Sequence, residues 1–104
     1  MIVFDIIDAP YQRWQSVLGS VPVRITLRWM PKIEKWTLTI DIAGVRRVTN
    51  RIVVKGRDLL APYNLGIGVI FAGGLADLTR DSLPAGDVRL YHASREEWDA
   101  ALAS

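Results

Sequence analysis

The chain has 104 residues, half of them apolar, with 13 Lys and Arg against 11 Asp and Glu and no cysteine. This length has room for one core, so a single domain over 1–104 is expected, and the apolar fraction argues against a disordered chain. Without cysteine there is no disulfide scaffold, no thiol chemistry and no cysteine-ligated metal, which fits synthesis in a reducing cytoplasm.

The opening segment, Met1–Ile7, is apolar and β-branched enough for a strand ended by Asp8-Ala9-Pro10. It lacks the basic start of a signal peptide, and Asp5 interrupts it. Tyr11–Leu18 fits both a helical stripe (Tyr11, Trp14, Leu18) and a strand face (Trp14, Ser16, Leu18); its shortness before Gly19 favours the strand. Val23–Trp29 and Trp36–Ile42 then alternate without a fault. Val23, Ile25, Leu27 and Trp29 oppose Arg24, Thr26 and Arg28, while Trp36, Leu38, Ile40 and Ile42 oppose Thr37, Thr39 and Asp41. Period two marks strands with one buried and one wet face, and Met30–Lys35 between them, containing Pro31, makes the pair an antiparallel hairpin.

Ala43-Gly44 is expected to reverse the chain tightly. Val45–Val48 and Ile52–Val54 read as extended on either side of Thr49-Asn50. Asp58-Leu59-Leu60 reads as a short helical turn stopped by Pro62, and Val69-Ile70-Phe71 as a strand buried on both sides. Leu59–Ala76 is the longest uncharged run, but its prolines and glycines make it a poor membrane helix, so no membrane contact is expected. Asp77–Gly86 reads as a polar loop and Asp87–Tyr91 as a strand with Val88 and Leu90 inward. Ser94-Arg95-Glu96-Glu97 has the form of a capping box opening a helix over 94–103, whose stripe is Trp98, Ala101 and Leu102. That helix is too short to stand alone, so Trp98 is expected to dock on the sheet or on a partner chain, the sheet being favoured. The fold class is therefore mainly β, an antiparallel sandwich or partly open barrel with a short capped C-terminal helix.

No catalytic constellation emerges. His92 is the lone histidine, and no serine lies in a Gly-x-Ser-x-Gly elbow. It reads as a partly exposed, hydrogen-bonded ring. Glu96 and Glu97 are explained by capping, and Asp77 and Asp81 by loop turns. Gly66-Ile67-Gly68 lacks the third glycine of a dinucleotide fingerprint, since Phe71 stands there; it reads as a strand entry where backbone approaches a neighbour. Neither a cofactor nor a metal site is expected. Trp29 and Trp36 lie on the aliphatic side of their strands, which makes them core and not a base-stacking platform.

The functional candidates are arginines. Arg24 and Arg28 lie on the wet side of the hairpin, and Arg46, Arg47, Arg51 and Arg57 form a basic stretch with Lys55. Guanidinium groups give planar, bidentate contacts to carboxylates and phosphates. These six residues form the candidate partner interface.

Laid end to end, the chain resembles the small baseplate plug proteins of contractile-tailed phages, of the cyanophage type. Pro10-Tyr11-Gln12-x-Trp14 resembles the family's Pro-x-Gln-x-aromatic, and Val23–Trp29 followed by Trp36–Ile40 resembles its alternating hairpin. Arg57-Asp58-Leu59-Leu60, Leu78–Leu83 and Asp87–Tyr91 resemble its Asp-Leu-Leu, its Thr-x-Asp-x-Leu and its closing strand. The resemblance implies a non-enzymatic virion protein of the tail baseplate, made in the host bacterial cytoplasm, that helps plug the central channel and organise the hub. Its partners would be hub, spike or tape-measure proteins, with homo-oligomers also open. The alternative is a small β-barrel that binds nucleic acid through the Arg46–Arg57 stretch.

Overall fold

The computed structural model describes residues 1–103. The chain opens with a two-residue strand, β1 (Ile2–Val3), and continues into a four-strand meander of β2 (Tyr11–Leu18), β3 (Val21–Met30), β4 (Lys35–Ile42) and β5 (Val45–Ile52). Two turns of this meander have one design. Gly19-Ser20 and Ala43-Gly44 each take positive φ at both central residues, the type I′ geometry whose twist matches the flanking strands. Tyr11–Leu18 is thus a strand and not a helix, paired along its whole length with β3.

The rest of the chain builds a second antiparallel sheet in the order β1-β7-β6, with β6 (Val69–Gly73) and β7 (Arg89–Ala93) as its main pair. The opening strand is shorter than the Met1–Ile7 expectation, because after Val3 only Phe4 still bonds β7, through its amide to Leu90. One buried cluster joins the two sheets. Ile25, Leu27, Trp36, Leu38 and Ile40 of the meander meet Phe4, Ile70, Ala72 and Leu90 of the smaller sheet. The arrangement is a sandwich, and no barrel closes.

β5 turns the corner between the sheets. Its pairing with β4 shifts register twice, once between Leu38 and Ile40 and once between Ile40 and Asp41. Such bulges bend and twist a strand. Asn50, at φ 47°, sits in the first and gives its amide to Thr39 Oγ1 at 3.0 Å. Thr49-Asn50 is therefore an irregularity inside one strand and not a gap between two. Val53 still bonds Trp36, whereas Gly56 and Leu59 already bond Ala72 and Ile70 of β6. The strand-switching corner is a recognised way to join packed sheets.

Two loop readings are corrected. The helical turn is a 3-10 turn over Ala61–Tyr63 that contains Pro62, since a first-turn proline loses no needed N–H. Asp58 instead accepts the Leu60 amide at 3.0 Å, bending the chain just before it. Asp77–Gly86 is not wholly a polar loop: it holds a one-turn helix, α1 (Ser82–Ala85), that buries Leu83. Likewise β7 begins at Arg89, two residues later than expected, although Val88 and Leu90 are both fully buried.

The chain's last element is α2 (Arg95–Ala103), lying over the outer side of the smaller sheet. The capping box is present in both directions: Ser94 Oγ accepts the Glu97 amide at 3.1 Å, and Glu97 Oε1 accepts the Ser94 amide at 3.0 Å. Trp98 packs on Phe71, ring centroids 4.8 Å apart, and Phe71 stacks on Tyr91 at 5.0 Å. The expected stripe is shorter than drawn, because Leu102 is 67% exposed. Replacing Ser94→Ala should cost about 1 kcal/mol of helix stability, read as faster amide exchange in α2.

The same cap predicts an acid response. The Met1 ammonium, 2.7 Å from Glu97 Oε2, and the Ser94 amide hold the Glu97 carboxyl down at about 2, from an ordinary 4.5. A carboxyl lowered on folding stabilises the folded state above its ordinary value and loses that effect as pH falls through the folded one. Fraying of α2 should therefore grow as pH drops from 4.5 toward 2. Helical NMR shifts that stay constant through that window would contradict it.

Candidate partner-contact surface

The meander's outer face is where the candidate arginines gather. In β3, Arg24 lies opposite Gln15 of β2 and Asp41 of β4, while Arg28 lies opposite Tyr11 and Thr37. Arg46 of β5 comes opposite Asp41 from the other side, its Nε 3.1 Å from Oδ1. One carboxylate thus sits in register between two guanidinium groups, and the row keeps a positive excess. Same-face residues along a strand are about 6.8 Å apart and those across it about 4.8 Å, so the sheet holds these charges at fixed spacing.

The other three candidates are divided among different places. Arg47 is exposed beside the second register shift, and Arg57 is exposed on the segment crossing to β6. Arg51 lies opposite Leu38, on the side of the core, half-buried with its Nε enclosed and unpartnered among the described residues. Lys55 reaches the Gly74 and Ala76 carbonyls at 3.4 and 2.6 Å. The basic stretch is therefore not one continuous track.

Sequence reasoning passed over Arg13. It lies on the same outer face, opposite Thr26, and its Nη2 donates to the Tyr11 hydroxyl at 2.8 Å with the guanidinium over that ring. The signal was the alternation of Tyr11, Arg13, Gln15 and Val17, hidden while the period of the segment was open.

Several motif residues prove to be internal fasteners. Gln12, 7% exposed, accepts the Ile7 amide and donates to the carbonyls of Ile7 and Ala9, all at 3.0 Å. It fixes the Asp8-Ala9-Pro10 bend, and Trp14 beside it packs on Phe4 at 5.6 Å. Gln12→Leu would strand the Ile7 amide and the Ala9 carbonyl, while the Ile7 carbonyl keeps the Ala9 amide at 2.9 Å, and should cost about 1–3 kcal/mol by urea denaturation. Asp58 accepts Arg95 Nη2 at 3.0 Å besides the Leu60 amide. Ser82 Oγ bonds both backbone groups of Thr79, and Arg80 pairs with Asp8 at 3.2 Å.

His92 is buried, 8% exposed, where partial exposure was expected. Its Nε2 lies 2.6 Å from the Ile67 carbonyl. A carbonyl only accepts, so that nitrogen carries the hydrogen. His92 borders a cleft of about 560 Å³ together with Ser94 and Glu97, but those two side chains are engaged in the helix cap. Among the described residues no three His, Cys, Asp or Glu cluster in a way that could hold a metal.

The fold is a small two-sheet β sandwich with an arginine-bearing face and loops fastened by side-chain hydrogen bonds. The family model described as the cyanophage baseplate Pam3 plug gp18 matches residues 1–96, and the chain belongs to that family. The matched span covers both sheets and ends two residues into α2. No curated protein matches the chain.

Proposed function

We propose that this protein is a non-enzymatic structural component of a phage or phage-like tail baseplate, synthesised in the host bacterial cytoplasm, that helps plug the central channel and organises the hub through protein–protein contacts. The family match over residues 1–96 carries this reading. The meander's outer face supports it, because guanidinium groups held in rows suit charge-assisted hydrogen bonds to acidic hub, spike or tape-measure subunits. Arg24, Arg28 and Arg46 share that face, with Arg13 beside them; Arg47, Arg51 and Arg57 are proposed as lesser, separate contacts.

The test is the composition of purified tails. Mass spectrometry or cryo-EM should find the protein at a fixed stoichiometry near the baseplate axis, and its absence would sink the proposal. Arg24→Glu/Arg28→Glu should leave the fold intact and lower incorporation. Binding to duplex DNA with a log–log salt slope near −0.9 per phosphate contact would instead favour the nucleic-acid reading.

A further inference from the structure

The geometry points to β2 as a docking edge for a second copy of this chain, the two β2 strands pairing antiparallel about a two-fold axis through Trp14. The inference starts from an inventory of sheet edges. Unpaired strand edges invite other chains, and proteins blunt them with shortness, bulges or covering segments. In the smaller sheet β1 is two residues long, and β6 is covered by the crossing segment through the Gly56 and Leu59 amides. In the meander β5 is broken by two register shifts. β2 has none of these protections: it is eight residues in unbroken register, with Arg13 as its one charge.

The turn geometry tells which backbone groups are free. In a two-residue type I′ hairpin the flanking residues, here Leu18 and Val21, form a hydrogen-bonded pair. Even-numbered residues of β2 therefore bond β3, as the Trp29 amide to the Pro10 carbonyl confirms just beyond the strand. Pro22 agrees, since it lies opposite Val17, where no amide is needed. The N–H and C=O groups of Tyr11, Arg13, Gln15 and Val17 consequently point outward.

Two such edges are self-complementary in one register. With Trp14 on the axis, Arg13 falls opposite Gln15 of the second copy, Tyr11 opposite Val17 and Gln12 opposite Ser16. Outer residues meet outer residues, and inner meet inner. The outward groups form about eight hydrogen bonds, four odd-numbered pairs exchanging two each. No like charges face each other directly. Tyr11 and Val17, 53% and 61% exposed, cover one another, and the two Trp14 rings come together beside Phe4. A shift by one residue would set outer residues against inner ones, and centring the axis on Arg13 or Gln15 would leave three odd-numbered pairs instead of four, the first with Arg13 facing Arg13; together these select the register. The pairing uses both β2 edges and leaves the bulged β5 edges outermost, so assembly closes at two copies.

This inference does not rest on the baseplate reading. Its test is sedimentation of the full chain, with hydrogen exchange resolved by residue. The wild type should form a dimer of twice 11.6 kDa. The amides of Tyr11, Arg13, Gln15 and Val17 should be protected in the dimer and exchange quickly on dilution, while those of Gln12, Trp14, Ser16 and Leu18 stay protected throughout. Gln15→Lys sets two like-charged pairs across the axis and should weaken dimerisation by roughly 2- to 30-fold; Gln15→Glu, facing Arg13, should strengthen it. Gln15 is exposed, so neither change should alter the monomer's circular dichroism. A chain that stays monomeric at millimolar concentration overturns the inference. So does a dimer indifferent to both substitutions, or protection of the odd-numbered amides that appears only with another tail protein.

Discussion

Replacing Trp36→Ala should lower the unfolding free energy by about 3–5 kcal/mol, within the range for deleting a large buried aromatic. Trp36 is fully buried in β4 and holds three parts of the molecule together. It faces Trp29 across the hairpin, edge to face with centroids 5.4 Å apart. Its Nε1 donates to the Thr79 carbonyl at 3.1 Å, and the Arg80 guanidinium lies 5.3 Å from its ring. The loss would remove much of a small domain's margin of about 5–15 kcal/mol. Guanidinium denaturation measures it. Trp36→Phe separates the causes: most of the packing stays while the N–H is lost, for a cost of about 1–2 kcal/mol. If Trp36→Phe cost as much as Trp36→Ala, the bond to Thr79 and not the packing would be the main term.

The second large effect is expected at Gly68→Ala, about 2–4 kcal/mol. Gly68 has φ +95° at the entry to β6, and a Cβ there would lie 2.5 Å from the Ala93 carbonyl and 2.8 Å from His92 Nε2. Neither neighbour can yield easily, because Ala93 ends β7 and the His92 ring is held by Ile67. Gly44→Ala is the matched control: φ is +76° but a Cβ would meet nothing within 4 Å. It should cost only the left-handed backbone term of about 1–2 kcal/mol. Equal losses at the two sites would mean that the close approach of β6 to β7 carries no energy of its own.

These two positions also show how legible the fold was. Trp36 as core followed from alternation in a single strand, and Gly68 as a place of close approach followed from a glycine pair with no phosphate fingerprint around it. The capping box was equally plain, because its partners lie three residues apart and bond one another. The path of β5 was not. Alternation from Arg46 turns Val48 outward, but between the two register shifts Val48 lies inward opposite Ile40; the shifts then cancel, and Arg51 falls on the side of Leu38. A bulge is settled by what lies across the ladder, here Thr39 holding the Asn50 amide, and the strand itself carries little sign of it. The one-turn helix α1 escaped for a related reason: four residues are too few for a periodic pattern, and Ser82 is held there by Thr79.

Sequence by itself determined the inward apolar residues of β3 and β4, where the hairpins turn, how α2 begins and which family the chain resembles, because each depends on neighbours within a few positions or on an ordered series of such local patterns. Thr37 and Thr39, expected on the wet face of their strand, are instead buried at 2% and 8% exposure. Only the tertiary structure decided that Arg24, Arg28 and Arg46 share a face from which Arg47, Arg51 and Arg57 lie apart, that Trp98 meets Phe71, and that β2 is the sheet edge left open. Those outcomes depend on pairings between distant segments, where one inserted residue in a ladder reverses the face of all that follow. The free edge is the extreme case. A strand is an edge only through the absence of a neighbour, and no residue in Tyr11–Leu18 records what the rest of the chain leaves uncovered.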